Sequence, residues 1–256
     1  MTACFLLLAL ASGCATSRPP APTREQVLQT ILPSAVQVVI EQDGRRLRSA
    51  SGVVIAQRPS TDGTECFVLT SAHALIRASE QGEAYVVLDR HRGTGTKARA
   101  FVLARREAED LDLALLRIRT GHCSAVRLAP PPALGEAIWV VAFPWGRHMK
   151  LSGGIVSQVD PEAPADRTPS RIMVDASVTY GSSGGGVYEA RSGRLIGLVD
   201  GYGTATVSLG GDSPRYINVP VPGETYVTPP VAIRRFLDQA GYGDLLGDRP
   251  SPRTWE

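Results

Sequence analysis

Short apolar runs rich in valine and isoleucine succeed one another along most of the chain, and glycine, proline and aspartate residues separate them. Runs of this kind, repeated roughly every 8–15 residues, are typical of β-strands. The candidate strands are residues 36–40, 52–56, 66–70, 85–88, 98–104, 113–118, 138–143, 153–159, 172–174, 186–189, 195–199 and 226–227. Helical segments do not alternate with these runs, as they would in a parallel sheet. The pattern therefore predicts an all-β fold.

Two helical segments flank the candidate strands. A short one is expected over residues 25–32, and the better candidate covers residues 228–240. Thr228 can cap the second helix, and the prolines after it are tolerated in a first helical turn. Its Val231 and Leu237 are expected to face inward, together with Ala240, and the glycine that follows is expected to end the helix.

Composition narrows the class of protein. The 256 residues, 43% of them hydrophobic, suit one large all-β domain or two small barrels that share one site. The 27 basic and 25 acidic residues are scattered, and no run reaches five like charges, so a nucleic-acid partner is not expected. No C-x-x-C or His/Cys cluster occurs, so neither a metal nor a cofactor is expected.

The amino terminus has the pattern of an export signal. The apolar stretch 5–11 is too short to span a bilayer, and small residues follow it up to Cys14. This resembles a bacterial lipoprotein signal, which predicts a signal peptide over 1–13, a lipid on Cys14 and a Pro-rich tether over 14–24. Ala15 after the cysteine implies the periplasmic side of the outer membrane. No Lys or Arg precedes the apolar stretch, and an ordinary cleaved secretion signal is the alternative.

Candidate chemistry centres on Ser183, which lies in the glycine-rich segment G-S-S-G-G at residues 181–185. Glycine allows a loop to turn consecutive N–H groups into one small space, where they can stabilise an oxyanion. A serine also needs a base and an orienting partner before it becomes nucleophilic. His73 follows a strand-like run, and Asp112 begins another, so these two residues are the candidates for those roles. A serine in a plain turn is the alternative.

Residue order separates two families that use such a serine. The segment also satisfies the G-x-S-x-G motif of α/β-hydrolases, but that fold needs its histidine after the serine, and none follows Ser183 here. The motifs T-S-A-H at 70–73, D-L-A-L-L at 112–116 and G-S-S-G-G at 181–185 instead resemble the chymotrypsin-like serine peptidases, most closely the bacterial HtrA-type branch. Weaker matches support this resemblance at residues 33–40, 51–55, 140–146 and 152–157.

The resemblance covers roughly residues 25–240 and implies two six-stranded antiparallel β-barrels with the site in the cleft between them. The expected boundaries are about 34–128 and 134–228 for the barrels, 229–240 for a carboxy-terminal helix and 241–256 for a tail. The peptide-binding PDZ module that HtrA-type proteins usually carry is not expected after this helix.

The resemblance also implies the role of each residue. Ser183 would attack the scissile carbonyl, His73 would move the proton, and Asp112 would hold the imidazole. The N–H groups of Gly181 and Ser183 would form the oxyanion hole. Asp110 is a rival carboxylate that does not match the motif. The other histidines are expected in surface or loop positions: His91, His122 and His148.

Substrate selectivity is expected to depend on residues around the nucleophile. The resemblance places Ser177 at the base of the pocket, Tyr180 at its lip, and Asp200 and Tyr202 on a neighbouring strand. Because no carboxylate occupies position 177, small or medium apolar side chains are expected rather than Arg or Lys. Asp200 could raise the pKa of His73, select a basic side chain, or simply occupy a turn.

Cysteine usage fits an exported protein. The resemblance places Cys66 and Cys123 on or beside neighbouring strands of the first barrel, so a disulfide is expected, with two buried thiols as the alternative.

The resulting prediction is a serine endopeptidase of the bacterial cell envelope that cleaves polypeptides and is anchored by a lipid, or is secreted if Cys14 is not lipidated. One alternative is a non-catalytic peptide-binding module. Another is a gated enzyme, in which Tyr180 or the segment 204–225, a lid or a surface loop, covers the cleft.

Overall fold

The computed structural model describes residues 21–76, 82–107, 111–159, 171–210 and 215–247. Within them the strands are β1 Ala35–Gln42, β2 Arg45–Ser60, β3 Gly63–Ser71, β4 Glu83–Leu88, β5 Thr96–Arg106, β6 Leu113–Thr120, β7 Ala137–Ala142, β8 Lys150–Gln158, β9 Ile172–Val174, β10 Gly186–Glu189, β11 Leu195–Ser208 and β12 Tyr216–Thr228. The helices are α1 Arg24–Ile31 and α2 Pro230–Gln239, with 3₁₀ turns at Leu32–Ser34, Ala72–Leu75, Arg90–Arg92, Pro144–Gly146 and Gly243–Leu246.

The strands close into two antiparallel barrels of six strands each. The first barrel has the order β1-β2-β3-β6-β5-β4, and the second repeats the same order as β7-β8-β9-β12-β11-β10. Each barrel has its own apolar interior, and closure leaves no unpaired sheet edge in the ring. The predicted all-β fold of two six-stranded barrels is confirmed.

A third apolar cluster joins the barrels to the helices. Helix α1 begins with a capping box between Thr23 and Gln26, which satisfies backbone N–H groups at the helix start. Ile31 of α1, Phe236 of α2 and Phe143 from the end of β7 meet in this cluster. Burial of large side chains on both sides fixes the barrels against each other, and the site depends on that placement.

Helix α2 differs from its sequence prediction at its first turn. Its N-cap is Pro229 without a side-chain hydrogen bond, so Thr228 remains at the end of β12 and does not cap the helix. Val231 is 57% exposed, whereas Ile233 and Leu237 are buried. Leu237 thus faces inward as predicted, whereas Val231 does not. Gly241, with a φ of 80°, follows the last turn as expected.

The segment 204–225 is a paired hairpin rather than an irregular loop. Strand β11 continues to Ser208, and Val207 pairs with Ile217 across to β12. Glycines and prolines within the segment concealed this extension in the sequence pattern. Within the hairpin, β11 and β12 hydrogen-bond to each other, so the segment is an ordered extension of the second barrel. Residues 211–214, which lie between these strands in the sequence, are outside the described residues.

The predicted signal peptide, Cys14 and the last residues of the predicted tail also lie outside the described residues. None of the helices in the described part of the chain has the length and apolar character needed to cross a membrane.

Candidate active site

His73 and Asp112 meet at neighbouring strand ends of the first barrel. Strand β3 ends at Ser71, which pairs with Leu113 at the start of β6, so the residues just beyond each end are adjacent. His73 Nδ1 lies 2.6 Å from Asp112 Oδ2, and the His73 backbone N–H donates to Asp112 Oδ1 at 2.8 Å. Asp112 is 3% exposed and the His73 side chain 33% exposed. The buried carboxylate therefore favours a proton on Nδ1 and leaves Nε2 as the basic nitrogen.

Ser183 lies in a loop whose shape requires glycine. Gly181 and Gly184 have φ angles of 85° and 78°, in the left-handed region that disfavours side chains. A Cβ on Gly184 would overlap the Ser51 carbonyl oxygen and lie 2.6 Å from Thr70 Oγ1. The Gly184 N–H donates to the carbonyl of Val199 on β11 at 2.8 Å. The loop is thus clamped between the two barrels.

One backbone hydrogen bond orients the peptide unit between Tyr180 and Gly181. The Trp145 N–H donates to the Tyr180 carbonyl at 2.7 Å. Because N–H and C=O point in opposite directions across a planar trans peptide, the Gly181 N–H faces away from Trp145. Among the described residues, neither this N–H nor that of Ser183 has a protein acceptor, whereas the Ser182 N–H is bonded within the loop. Two free donors thus lie beside the Ser183 side chain, an arrangement that an oxyanion hole requires.

Ser51, in the middle of β2, links both barrels to residues 181–185, which carry the candidate nucleophile and which we call the nucleophile loop. Its hydroxyl accepts from the Phe143 N–H and donates to the Gly181 carbonyl, each at 2.8 Å. Its N–H donates to the Ser183 carbonyl at 2.9 Å, and its carbonyl accepts from Thr70 Oγ1 at 2.7 Å. Ser51 is fully buried. The loop position therefore depends on a residue more than a hundred positions earlier in the chain.

The cleft between the barrels has a volume of about 600 Å³ and is lined by both His73 and Ser183. No hydrogen bond joins the Ser183 hydroxyl to the imidazole within the described residues. Three aromatic side chains, Trp145, Tyr180 and Tyr202, line the same cleft and form what we call the aromatic lip. The Tyr180 ring lies 5.2 Å from Trp145 and 6.0 Å from Tyr202, measured between centroids. The lip offers apolar surface to a substrate chain.

Two arginines give the first-barrel wall of the cleft a positive charge. Arg46 and Arg48 line the cleft from β2. Arg46 Nη1 donates to the Gly146 carbonyl at 2.9 Å, and Arg48 Nη1 donates to the His73 carbonyl at 2.8 Å. Each guanidinium keeps further donors for acidic groups of a bound chain.

Asp200 reaches the cleft from β11, and His73 lines the same cleft. Its side chain is 13% exposed, and its Oδ2 is 2.9 Å from Arg171 Nε. Burial raises the pKa of Asp200, the Arg171 guanidinium opposes that rise, and the neighbouring Asp112 carboxylate adds to it. Asp200 is therefore more than a turn residue, because it forms an ion pair with Arg171.

The other predicted site residues agree with the prediction in part, and Ser177 is the one described residue that does not. Tyr180 and Tyr202 reach the cleft, but Ser177 is exposed outside it, and its carbonyl accepts from Lys150 Nζ at 3.2 Å. A disulfide joins Cys66 on β3 to Cys123 beyond β6. Asp110 lies outside the described residues.

Sequence reasoning overlooked several contributors to this site. Ser51, Trp145 and Arg171 carry no motif of their own, because their roles come from neighbours distant in sequence. Ser51 and Trp145 belong to segments already matched to the chymotrypsin-like pattern, at 51–55 and 140–146, and this match was the one signal available. Among the histidines, only His73 lines the cleft.

Comparison with known proteins agrees with this geometry. A family model described as a trypsin-like peptidase domain matches residues 50–198, a range that includes His73, Asp112 and Ser183. A probable periplasmic serine endoprotease, DegP-like, from Marinomonas sp. (strain MWYL1) is 28% identical over 166 residues, which cover 61% of this chain and 30% of that protein. The protein of the same description from Ectopseudomonas mendocina (strain ymp) is 27% identical over 157 residues, covering 60% and 30%. The chain thus spans about 30% of the length of these relatives.

Solved structures show the same fold. The crystal structure of the serine endoprotease from Yersinia pestis superposes with a TM-score of 0.62 at 18% identity, over 89% of this chain and 68% of that one. The crystal structure of Deg5 superposes with a TM-score of 0.57 at 23% identity, over 70% and 84%. Since the family model covers more than half of the sequence and the barrels agree, the chain belongs to the family of trypsin-like peptidase domains.

Proposed function

We propose that this protein is a serine endopeptidase that hydrolyses polypeptides by means of His73, Asp112 and Ser183. The observation that carries the proposal is the pair of unpartnered N–H groups at Gly181 and Ser183, in the same cleft as an imidazole held by a buried carboxylate. A nucleophile, a base with its orienting group, and donors for the developing charge are the parts that acyl transfer needs.

The reaction would proceed in two halves. Ser183 Oγ attacks the scissile carbonyl carbon while His73 Nε2 takes the hydroxyl proton, and the carbonyl oxygen becomes an oxyanion bound by the Gly181 and Ser183 N–H groups. His73 then returns the proton to the leaving amine, which breaks the C–N bond and leaves an acyl-enzyme. Water, activated by the same imidazole, hydrolyses the ester. Asp112 stabilises the imidazolium in both halves.

The hydrogen bond between Ser183 and His73 belongs to the substrate-bound state. Catalytic hydrogen bonds are often long or poorly aligned in a free enzyme and tighten when substrate excludes water. The bond from Trp145 to the Tyr180 carbonyl already orients the Gly181 donor in the free protein. This feature favours a preformed oxyanion hole over the gated alternative and over a module used only for binding.

The side chains that line the cleft favour substrates with both apolar and acidic side chains. The aromatic lip favours small or medium apolar side chains, and the arginines at 46 and 48 favour acidic groups elsewhere in the bound segment. Asp200 is already paired with Arg171, so selection of a basic side chain is not supported. A peptide library profile dominated by cleavage after Arg or Lys would contradict this assignment.

A cell-envelope location is part of the proposal. The two DegP-like relatives are described as periplasmic, and the amino-terminal pattern predicts export with a lipid on Cys14. Metabolic labelling with a fatty acid, compared with a Cys14→Ala variant, tests the anchor. Labelling of the wild type that is lost in the variant supports lipidation, and its absence from both supports a cleaved, secreted form.

The activity is tested by reaction of the purified protein with a fluorophosphonate probe, which labels only an activated serine. We expect labelling of the wild type, none in Ser183→Ala, and wild-type labelling in Ser157→Ala, which alters an exposed serine on β8. A correctly folded wild type that stays unlabelled, with or without added peptides, would support the non-catalytic alternative.

A further inference from the structure

The hairpin of β11 and β12 projects beyond the closed ring of the second barrel. Strand β11 pairs with β10 only as far as Leu198, whereas its pairing with β12 continues to Ser208. Beyond the ring, residues 204–209 and 215–220 are all exposed. Strand β12 therefore covers one edge of this part of β11, and no strand among the described residues covers the other edge.

The register shows which backbone groups lie on the uncovered edge of β11. The Leu209 N–H donates to the Arg215 carbonyl at 2.8 Å, so these two residues form a hydrogen-bonded pair. Hydrogen-bonded and non-hydrogen-bonded pairs alternate along an antiparallel ladder, and the register has no bulge from Thr204 to Ser208. The N–H and C=O groups of Thr204, Thr206 and Ser208 therefore point away from β12. We call this row of backbone groups the free edge.

The outer edge of β12 differs from the free edge. Pro220 opposes Thr204 in a non-hydrogen-bonded pair, so β12 lacks the outward N–H that another residue would present there. Pro222 follows two positions later and is also exposed. Proline on an edge strand hinders the addition of a further strand. The outer edge of β12 is thus protected against strand addition, whereas the free edge of β11 is not.

One face of the hairpin is apolar and exposed. Cross-strand pairing and the alternation of side chains place four apolar residues on this face: Ala205, Val207, Ile217 and Val219. The last three are 43%, 45% and 40% exposed. The opposite face is polar, and on it Thr206 Oγ1 donates to Asn218 Oδ1 at 2.9 Å. A strand added to the free edge would therefore meet apolar surface on one face only.

The free edge begins at the cleft. Tyr202 and Thr204 line the same cleft as Ser183. Earlier on β11, the Val199 carbonyl accepts from the Gly184 N–H at 2.8 Å, which places the start of this path next to the nucleophile. A chain bound at Ser183 can therefore continue onto the free edge without leaving the surface of the protein.

The direction of a bound chain follows from the chemistry of the proposed reaction. His73 gives its proton to the leaving amine, and from the first barrel Arg48 Nη1 donates to the His73 carbonyl at 2.8 Å. The segment after the scissile bond therefore lies against the first-barrel wall, and the segment before it lies against β11. Because this segment ends at Ser183, where β11 leaves the nucleophile loop, the two chains run antiparallel.

We propose that the free edge of β11, at residues 204–208, is an extended substrate-binding site that adds the polypeptide segment before the scissile bond as an antiparallel strand. The inference deepens the proposed function and rests on it. Counted from Val199, the free edge would pair with roughly the fifth to ninth residues before the cleaved bond. Main-chain hydrogen bonds supply affinity, and the apolar face selects apolar side chains at alternate positions. The substrates that fit are unfolded chains with a strand-like alternation.

The test compares the cleavage of long and short peptides by the full chain. Two long peptides carry about ten residues before the cleaved bond, and a short peptide carries about four. The long peptides alternate valine with threonine and have the same composition, but the positions of the two residue types are exchanged. They therefore differ only in which face of the hairpin receives valine. The measured quantity is the ratio of kcat/KM for the better long peptide to that for the short one, because this ratio cancels changes at the catalytic centre.

Thr206→Pro and Asn218→Pro are a matched pair of variants. The two residues oppose each other in a non-hydrogen-bonded pair, so neither substitution removes a backbone bond between β11 and β12, and both remove the same side-chain bond. Only Thr206 has its N–H on the free edge. The ratio should fall about 5- to 10-fold in Thr206→Pro, because a main-chain bond to the substrate is lost, and should keep its wild-type value in Asn218→Pro.

Amide hydrogen exchange gives a second readout that needs no turnover. In a Ser183→Ala protein, the better long peptide should slow exchange at the amides of Thr204, Thr206 and Ser208. Exchange at the Asn218 amide, on the outer edge of β12, should not change. The short peptide should leave all four amides at their unbound rates, because it ends before the free edge.

Each outcome decides the inference. Equal ratios for Thr206→Pro and Asn218→Pro overturn it, as does equal cleavage of the two long peptides. If Thr206→Pro fails to fold, the exchange measurement decides, and unchanged exchange at the free edge overturns the inference. A wild-type dimer that dissociates in Thr206→Pro would assign the free edge to a second copy of the chain and also overturn it.

The same measurements separate this inference from the proposed function. A protein that reacts with the fluorophosphonate probe but shows no preference for long peptides refutes the inference alone. A protein that protects its free edge with the long peptide but never reacts with the probe refutes the proposed function alone.

Discussion

Replacement of Ser51 by alanine should separate the stability of the fold from the alignment of the nucleophile loop. The substitution removes one hydroxyl and leaves the Phe143 N–H and the Gly181 carbonyl without their partner. A net hydrogen bond is worth about 1 kcal/mol, and an unsatisfied buried group costs about 1–3 kcal/mol. We therefore expect the free energy of unfolding to fall by about 2–4 kcal/mol.

The same change should slow the reaction of the serine. The Gly181 carbonyl is anchored only by Ser51 among the described residues, so its loss lets the adjacent donor peptide shift. Removal of one oxyanion donor costs about 10²–10³ in rate, and a displaced donor should cost less. We expect the fluorophosphonate labelling rate of Ser51→Ala to fall about 10- to 100-fold.

Ser34, which does not line the cleft, provides a matched control. Ser34 is also fully buried, and its hydroxyl makes two hydrogen bonds, to the Ile31 carbonyl at 2.7 Å and with the Tyr188 hydroxyl at 3.1 Å. Ser34→Ala should lose a similar stability in urea unfolding but keep the wild-type labelling rate at a temperature where both variants are folded. Equal labelling rates for Ser51→Ala and Ser34→Ala would refute the assigned role of Ser51.

Three further outcomes follow from the structure. Gly184→Ala should lower the free energy of unfolding by about 3 kcal/mol or more and abolish labelling, because the new Cβ would overlap its neighbours at a left-handed φ. Gly223→Ala has a φ of 80° but open space around the new Cβ, so it should cost only about 1–2 kcal/mol, and similar urea midpoints for the two variants would contradict this reasoning. Reduction of the Cys66–Cys123 disulfide, whose residues are 57 apart, should lower the free energy of unfolding by about 4 kcal/mol, and equal stability of the oxidised and reduced protein would argue against the bond. Burial raises the pKa of Tyr188 above its usual 10.0, so the contribution of this side chain to stability is complete below pH 10. Above pH 10 the free energy of unfolding should decline by up to about 1.4 kcal/mol per pH unit. Tyr188→Phe should flatten that decline, and an unchanged pH dependence would refute the role given to Tyr188.

The local pattern of apolar and polar residues was sufficient to predict the strands and to propose candidate residues for the site. Period and composition identified every strand of both barrels, because a half-buried strand needs apolar side chains in short runs whatever its partners are. Ser183, His73 and Asp112 could also be proposed for catalysis, since each lies in a short motif whose residue types are constrained by local backbone geometry. The glycines around Ser183 are one such constraint.

The prediction was wrong where a residue's structure depends on contacts with residues that are distant in the sequence. The hairpin formed by β11 and β12 extends through glycines and prolines because each strand pairs with the other, which a window of local sequence does not reveal. Val231 is exposed while Ile233 is buried, because the packing of α2 against the barrels determines which of its faces is covered. Ser177 was assigned to the pocket by resemblance, but it is exposed, does not line the cleft, and accepts a hydrogen bond from Lys150 on β8.

The amino-acid sequence by itself determined the all-β class, the strand segments and the three residues proposed for catalysis, because these depend on side-chain pattern and local backbone freedom. Tertiary structure alone decided which groups meet: Ser51 with the nucleophile loop, Trp145 with the Tyr180 carbonyl, and Arg171 with Asp200. Contacts of this kind join strands of different barrels or distant turns. Their geometry arises only when the barrels close and pack, and electrostatic coupling depends on that geometry through distance and burial.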